Sequence, residues 1–344
     1  MDLSVNYMGL ELKNPLIAGS SGLTGSVKKI KELADKGAGA IVLKSIFEEE
    51  IAFEYTDFVD KEAKKTGAAP KFFEYDGRLN PIEFYDYKLR EDNLSKYTQL
   101  IKDSKNEVSV PVIASINCSH KSLEWISYAK RLQTAGADAI ELNMFFLPSH
   151  MERTAAETEA LYFQVIEKVL ETLTIPVSLK ISYYFTDLGP MIQRLSQTGI
   201  KGLVLFNRFF SPDFDINTFE VKPSFTLSSP SDLAISLRWM AIMSGRVDCD
   251  LAASTGVHDS EALIKHLLAG ATAVQTASTL YRNGTDTIAE MLKELSSWMR
   301  TRGFSQISDF RGKMSQEKSE NPALYERTQF MRYFGGKKFD KTTK

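Results

Sequence analysis

The chain has 344 residues, of which 43% are hydrophobic and 25% charged, and its formal net charge is -2. These values are typical of a folded globular protein and exclude a disordered, collagen-like or coiled-coil chain. Basic residues number 42 and acidic residues 44, so no positive excess points to nucleic acid. No apolar run reaches the length of about 18 residues that a membrane span requires. The composition therefore predicts a protein that binds neither nucleic acid nor a membrane.

Cysteines are few, and the start of the chain carries no leader pattern. Cys118 and Cys249 are the only two cysteines, and both lie in apolar, strand-like segments far apart in the sequence. Two buried thiols indicate a reducing, cytoplasmic setting and argue against disulfides or a zinc site. Residues 1–5 lack the basic segment followed by an apolar one that marks a secretory signal, so we expect none.

The strongest pattern is a glycine followed by a short apolar run that ends in polar residues. It occurs four times, and the glycines are Gly37, Gly136, Gly199 and Gly270. A glycine in this place is typical of a helix C-cap, where the backbone needs a positive φ. The run that follows is typical of a strand buried on both faces. Four similar runs complete a predicted set of eight strands, at 15–20, 111–117, 177–182 and 249–255.

Amphipathic helical patterns separate most of these strands. The clearest lie at 121–133, 155–172, 259–268 and 286–300. Eight strands that alternate with helices favour parallel pairing and a closed (β/α)8 TIM barrel in the α/β class. An open, doubly wound sheet is the alternative, because a sequence pattern alone does not prove closure. The glycines at 19 and 22 have the wrong spacing for the dinucleotide turn of such a sheet, which favours the barrel.

Two segments do not follow the alternation of strands and helices. Residues 48–81, after the second strand, contain many aromatic and acidic residues without a clear period, and we interpret them as an insertion at the barrel mouth. Because aromatic residues are frequent both in interfaces and in flaps over a core, we predict that the insertion forms a lid and a homodimer contact. The predicted domain organisation is a barrel over 1–312 followed by a polar C-terminal tail over 313–344.

Functional residues of a TIM barrel lie at the C-terminal ends of its strands. Serine and threonine at these ends are commonly no more than strand caps. Lys44 and Lys180 are different, because each ends a buried apolar run where an ammonium group needs an anionic or carbonyl partner. The two lysines therefore predict a site for an electron-rich ligand.

Small residues at the ends of the last two strands give a second indication. Thr255 and Gly256 follow the seventh strand, and Ala277 and Ser278 follow the eighth, in each case just before a helix. Small side chains allow backbone N–H groups to approach a phosphate, and a helix N-terminus favours its negative charge. Phosphate sites are frequent at this place in the fold. We therefore predict a phosphate-binding site here.

Several short motifs occur in a fixed order along the chain. They are Asn-Pro-Leu-Ile at 14–17, Lys-Ser at 44–45, Glu-Leu-Asn at 141–143, Lys-Ile at 180–181, the strand ending at Asn207, Thr-Gly-Val at 255–257, His-Leu-Leu-Ala-Gly-Ala at 266–271 and Ile-Ser-Asp-Phe-Arg-Gly-Lys at 307–313. In this order and spacing, the chain resembles the dihydroorotate dehydrogenase family. The resemblance implies an FMN-binding barrel of pyrimidine biosynthesis that removes or adds hydrogen across a carbon–carbon bond of a pyrimidine-like substrate.

The resemblance also implies roles for individual residues. By position, the residues that would hold FMN are Gly19, Ser20, Lys44, Ser45, Asn117, Asn143, Lys180, Thr255, Gly256, Ala277 and Ser278. The residues that would contact the substrate are Lys44, Asn143 and Asn207. Lys180 would in addition be catalytic, because it would lie at the N1/O2 edge of the flavin, where reduction places negative charge.

The chain departs from the family pattern at the general base. Where the family has cysteine or serine in the loop after the fourth strand, this sequence has Phe146, which cannot accept a proton. Ser149 and His150 follow in the same loop and are the candidate catalytic bases, and histidine is the side chain whose ordinary pKa lies near neutral pH. Elsewhere, His266 lies on the apolar pattern of a late helix and is predicted to be structural, whereas His258 is predicted to cap a helix or face solvent.

Two alternatives to a dihydroorotate-oxidising enzyme stay open. One is a flavin oxidoreductase that acts on another cyclic amide or enone. The other is a non-catalytic barrel that binds flavin or a nucleotide and has lost its base. No His-Glu or Cys-Cys spacing indicates a metal, and any iron–sulfur centre would have to come from a partner chain.

Overall fold

The structure is a computed structural model, and it describes residues 1–47, 81–118, 124–149, 151–208, 211–224 and 227–326. The strands are β1 Val5–Tyr7, β2 Leu10–Leu12, β3 Leu16–Ala18, β4 Ala40–Val42, β5 Ile46–Phe47, β6 Val112–Cys118, β7 Ala139–Met144, β8 Val177–Ile181, β9 Gly202–Leu205, β10 Ser211–Phe214, β11 Val221–Ser224, β12 Asp250–Ala253 and β13 Ala273–Thr276.

The α-helices are distributed between these strands. They are α1 Val27–Asp35, α2 Pro81–Glu107, α3 Glu124–Thr134, α4 Ala155–Thr172, α5 Leu188–Ser196, α6 Leu233–Met243, α7 Ser260–Ala269, α8 Ser278–Asn283, α9 Thr287–Arg302 and α10 Ala323–Glu326. Short 3-10 helices lie at Gly22–Thr24, Pro230–Asp232 and Ile307–Asp309. Within these described ranges, no helix is both long and apolar enough to span a membrane.

The central sheet is a closed parallel barrel. Its strands follow the order β4-β3-β13-β12-β9-β8-β7-β6-β5, and β4 also pairs with β6, which closes the ring. The closing pairs are Ile41 with Val112 and Val42 with Ile113. Strand β5 pairs with the far end of β6 and so continues the position of β4 around the barrel. The eight positions and the surrounding helices confirm the predicted (β/α)8 TIM barrel.

The glycines that precede four barrel strands have the predicted backbone conformation. Their φ angles lie between 101° and 118° at Gly37, Gly136, Gly199 and Gly270. Only glycine adopts this region without steric cost, so each of these residues can end a helix and turn the chain back into the barrel. The strands that follow are β4, β7, β9 and β13, and every residue in them is buried.

An N-terminal hairpin, formed by β1 and β2, covers the end of the barrel where the strands begin. The backbone N–H of Met8 donates to a carboxylate oxygen of Asp250 at 2.7 Å, at the start of β12. Met8 and Tyr7 also lie against Gly202 at the start of β9. This hairpin blocks the N-terminal end of the barrel, and the opposite end, where the strands stop, is left for the functional site.

The long helix α2 was not predicted from the sequence. The predicted insertion at 48–81 falls almost entirely on residues 48–80, which lie outside the described residues, so its interpretation as lid and dimer contact stays a prediction. In the C-terminal half of α2, the buried residues are Leu94, Tyr97, Ile101 and Ser104, at helical spacing. This spacing places one apolar stripe of the described part of α2 against the barrel.

The C-terminal segment stays in contact with the barrel as far as Glu326. The backbone N–H of Gln316 donates to the carbonyl of Ala241 on α6 at 2.9 Å, and the side chain of Gln316 is buried. Its amide also donates to the carboxylate of Glu326 on α10 at 2.7 Å. Polar residues thus fix this segment to helix α6, and the division of the chain at residue 312 stays a prediction.

His266 is buried inside α7, and neither ring nitrogen has a hydrogen-bond partner. Burial lowers its pKa to about 3, so the ring is neutral in the folded protein, in line with the predicted structural role. The unfolded chain takes up a proton at an ordinary pKa of about 6.5. The stability that follows is present above pH 6.5 and is lost as the pH falls from there towards 3.

We expect His266→Leu to make unfolding less sensitive to acid. The native free energy of unfolding should fall by up to about 1.4 kcal/mol per pH unit below pH 6 through this one group, and the variant should lack that contribution. Urea unfolding of both proteins at pH 7 and pH 5 measures the difference. Equal pH slopes in the two proteins would show that His266 is protonated in the fold.

Candidate active-site cleft

A cleft that is partly open to solvent lies where the barrel strands end. It is lined by Gly19, Ser20, Lys180, Asn207, Arg208, Ser228, Ser254, Thr255, Gly256, Val257, Gln275, Thr276, Ala277 and Ser278. Two of these residues carry a positive charge, and none of these lining residues is a carboxylate. The cleft is therefore suited to an anionic ligand.

Three polar residues stand side by side on neighbouring strands at the floor of this end of the barrel. Asn117 on β6 is in register with Asn143 on β7, which is in register with Lys180 on β8. Residues in register on parallel strands point to the same face, so all three face the barrel interior. The amide of Asn207, beyond the end of β9, donates to Asn143 Oδ1 at 2.9 Å. These contacts join four adjacent strand ends into one polar surface.

On the side facing the barrel interior, Lys180 contacts a buried amide and a buried carboxylate. Its Nζ donates to Gln275 Oε1 at 2.8 Å, and Gln275 Nε2 donates to Glu141 Oε2 at 2.5 Å. The Lys180 ammonium also lies 3.8 Å from Glu141 Oε1, and the side chains are 10% and 1% exposed. A buried ammonium needs such partners, because burial without them costs several kcal/mol.

Hydroxyl groups surround the first two barrel strands. Ser20 Oγ lies 3.0 Å from Ser45 Oγ, which lies 2.7 Å from Ser115 Oγ. Ser20 Oγ also accepts the backbone N–H of Ser45 at 3.0 Å. The hydroxyl of Tyr97 on α2 accepts the N–H of Ser115 at 3.1 Å. This chain fixes Ser20 at the cleft edge and links it to the long helix outside the barrel.

The predicted phosphate site is a compact turn after β12. Thr255 and Gly256 both have positive φ, at 76° and 79°. The Gly256 N–H donates to Ser228 Oγ at 3.4 Å, and the Ser228 N–H donates to Ser278 Oγ at 2.9 Å. Ser228 Oγ also lies 3.0 Å from His258 Nε2. These bonds bring residues from three separate loops to one wall of the cleft.

His258 corrects one expectation from the sequence. It is 9% exposed and bonded to Ser228, so it does not face solvent, and the residue that caps α7 is Asp259, so neither predicted role holds. Burial, followed by the positive charge of Arg282, lowers its pKa. The neutral imidazole can therefore exchange a hydrogen bond with the serine hydroxyl and support the cleft wall.

Most of the predicted site residues meet in the cleft. Its lining includes Gly19, Ser20, Lys180, Asn207, Thr255, Gly256, Ala277 and Ser278. Asn143 reaches it through Asn207, and Ser45 reaches it through Ser20. Asn117 is the register neighbour of Asn143 and is half-buried. Lys44 is half-buried, its side-chain carbons lie beside Gly25, and it is not among the residues that line the cleft.

The predicted base residues are placed differently. Ser149 is exposed and does not line the cleft, and His150 lies outside the described residues. Phe146 is buried, with its ring edge-on to Tyr162 of α4 at a centroid distance of 5.0 Å. Its side chain therefore packs in the protein interior, and its backbone N–H donates to the Tyr162 hydroxyl at 3.5 Å.

The sequence analysis assigned no role to Glu141 or Gln275, which lie inside predicted strands. A charged or amide residue in the middle of a buried strand is a signal that could have been used, because such groups need buried partners. Of the described residues, no group of three or more His, Cys, Asp or Glu is placed to hold a metal ion.

The fold and the cleft define a TIM-barrel protein whose site, at the C-terminal strand ends, offers cations and hydroxyl groups to an anionic ligand. Comparison with known proteins identifies the group within this class. The family profile described as "Dihydroorotate dehydrogenase" matches residues 2–299. The chain belongs to the dihydroorotate dehydrogenase family, which confirms the resemblance. It is an oxidoreductase of the kind that acts on CH–CH groups, and members of the family are flavoproteins.

Individual relatives are distant but cover most of the chain. A protein of Aeropyrum pernix described as a putative dihydroorotate dehydrogenase A (fumarate) is 26% identical over 321 residues, which are 90% of this chain and 97% of the relative. The dihydroorotate dehydrogenase B (NAD(+)) catalytic subunit of Methanocaldococcus jannaschii is 27% identical over 309 residues, 87% of this chain and 94% of the relative.

A relative with a different description is similarly close. The chloroplastic dihydropyrimidine dehydrogenase (NADP(+)) of Arabidopsis thaliana is 25% identical over 332 residues, which are 90% of this chain and 76% of the relative. The similarity therefore extends to proteins named for two different pyrimidine substrates, and overall identity does not separate them.

We expect Gly256→Ala to disrupt the wall of the cleft. A Cβ at this position would lie 2.2 Å from the backbone nitrogen of Leu233, which cannot move without displacing α6. Gly303→Ala is the matched control, because Gly303 also has a positive φ but has open space around it. Both variants bear the cost of about 1–2 kcal/mol for a left-handed residue.

The Gly256 variant should lose about 1–3 kcal/mol more than the Gly303 variant, because overpacking against a backbone adds to that cost. Urea unfolding of the three proteins gives the comparison. If both variants lose the same stability, the close packing of Gly256 on Leu233 is wrong.

Proposed function

We propose that the chain binds FMN in the cleft and oxidises dihydroorotate or a related dihydropyrimidine. Bound FMN would supply a hydride acceptor at its N5 atom. One substrate carbon would lose a hydride, the adjacent carbon would lose a proton, and a carbon–carbon double bond would form between them. The observation that carries the proposal is the set of groups around the cleft: a buried ammonium at its floor, small hydroxyl residues on one wall, and no carboxylate among the described lining residues.

The chain's own residues fit an FMN molecule in two respects. Ser228, Thr255, Gly256 and Ser278 form a wall of small residues, and the Ser278 hydroxyl, which accepts the Ser228 N–H, keeps its own proton to donate to a phosphate ester. Lys180, fixed by Gln275, presents its ammonium to the floor of the cleft. A cation held in place before the reaction stabilises negative charge on a reduced ring more than on an oxidised one, which lowers the barrier to reduction.

The substrate would lie over the polar surface formed by Asn143 and Asn207. The Asn207 amide donates to Asn143 Oδ1, so Asn143 Nδ2 and Asn207 Oδ1 stay available for other bonds from these two side chains. A donor and an acceptor side by side match the amide edge of a dihydropyrimidine. The same match would serve another cyclic amide, which keeps that alternative open.

One observation favours the alternative of a barrel without catalytic activity. Phe146 replaces the family's base and is buried against Tyr162, so the substrate proton has no acceptor at this position. We propose that His150 or Ser149, later in the same loop, takes the proton, and that without such a group the barrel binds flavin without turnover. The expected homodimer and cytoplasmic setting stay predictions.

We predict that the protein takes up FMN and not FAD. A purified sample should be yellow, and denaturation should release FMN, because the hydroxyl wall accommodates one phosphate ester. Equilibrium dialysis of the apoprotein with FMN, FAD and riboflavin measures the preference. Lys201→Ala, an exposed lysine outside the cleft, serves as a control for general charge loss. Apoprotein that fails to bind FMN at micromolar concentration would refute the proposed function.

We predict that the base is in the loop after β7 and that His150 contributes more than Ser149. Loss of a general base slows the reaction by roughly 10²–10⁴-fold. Single-turnover reduction of the flavin by dihydroorotate, followed anaerobically, should be slowed by His150→Ala by that factor and by Ser149→Ala much less. Rapid reduction that survives both substitutions would place the base elsewhere, and no reduction in the native protein would favour the non-catalytic alternative.

A further inference from the structure

Glu141 carries a charge at a place where the proposed reaction assigns none. It lies two residues before Asn143 on β7, so it faces the barrel interior one layer below the polar surface. Its side chain is 1% exposed, and its Oε1 atom has no hydrogen-bond partner. A buried carboxylate in this state is unfavourable by itself, and the positive charge that it faces is Lys180, 3.8 Å away.

Gln275 joins the two charges, and its orientation is fixed by them. Its carbonyl oxygen accepts from the Lys180 ammonium, and its amide nitrogen donates to the Glu141 carboxylate. The reverse orientation would place the NH₂ group against the ammonium and the oxygen against the carboxylate. The amide dipole therefore lies along the line from cation to anion and strengthens both bonds.

We propose that Glu141 is the counter-charge of Lys180 and a positioning residue for it, acting through Gln275. The carboxylate keeps the ammonium at the floor of the cleft and neutralises it when the ligand above carries no charge on its ring. The pair thus limits how strongly Lys180 favours a reduced, anionic flavin over the oxidised one. This effect on flavin rests on the proposed function, whereas the pairing of the charges does not.

The pairing is tested first, on the apoprotein. Glu141→Gln keeps the size of the side chain and an acceptor for Gln275 but removes the charge. Lys180→Met removes the other charge. If the two residues form a pair, each single variant lowers the urea midpoint, and the double variant loses clearly less than the sum of the two. Additive losses would overturn the pairing.

The effect on flavin is tested by the dissociation constants for oxidised FMN and for anaerobically reduced FMN. In Glu141→Gln, the uncompensated ammonium should shift the ratio of the two constants by about tenfold in favour of reduced FMN. Gln275→Leu breaks the connection and should also change this ratio. Ser178→Ala is the matched control, because Ser178 is buried and in register with Glu141 but carries no charge; it should leave the ratio unchanged.

The outcomes separate the two proposals. A purely structural Glu141 would lower the stability and the FMN content but leave the ratio at the native value, which would overturn the inference. Native protein that binds no FMN would overturn the proposed function together with the effect on flavin. In that case the stability measurements on the apoprotein still decide whether Glu141 and Lys180 form a pair.

Discussion

Closure of the barrel between β4 and β6 is the constraint on which the rest of the structure depends. Because the strands are parallel and the sheet has no free edge, all strand ends meet at one rim, and all inward-facing residues share one interior. The hairpin formed by β1 and β2 covers the other end through Met8 and Asp250. Residues far apart in sequence are thereby forced into contact, and polar groups in the interior must find partners across it.

The buried charges follow from this geometry. Gln275 and Glu141 are 134 residues apart and Lys180 and Gln275 are 95 apart, yet they form consecutive hydrogen bonds inside the barrel. Tyr7 lies on the opposite side of this layer, and its pKa is raised well above the ordinary value by burial and then by the negative charge of Glu141. The phenol therefore stays neutral, and the ammonium is the group that balances the carboxylate.

The sequence predicted those features that depend on local pattern. Glycine before a buried run marked the starts of β4, β7, β9 and β13, and the predicted helix at 155–172 matches α4. The strand ends marked Lys180 and the turn at Thr255. Features that depend on contacts across the barrel were missed, because the role of Glu141 or Gln275 is decided by residues about 100 positions away. Helix α2 was missed because the aromatic and acidic residues at its start show no clear period in the sequence.

The same difference between local pattern and long-range contacts applies to Phe146, which stands where the family has its general base. The sequence showed correctly that Phe146 cannot accept a proton, but only the structure shows where its side chain lies. Phe146, Tyr162 and Phe185 form an aromatic cluster, with centroid distances of 5.0 and 5.2 Å between successive rings. The start of the loop after β7 is therefore fixed against α4.

This anchoring limits what a single substitution of Phe146 can do. A single exchange of Phe146 for a thiol or hydroxyl residue would not bring back the family's proton acceptor, because the new group would point towards Tyr162 and leave a void where the ring had packed. To place a proton acceptor over the cleft from this position, the aromatic cluster would have to be replaced and the loop would have to adopt another conformation. A proton acceptor in this protein would therefore have to come from another position along the rim.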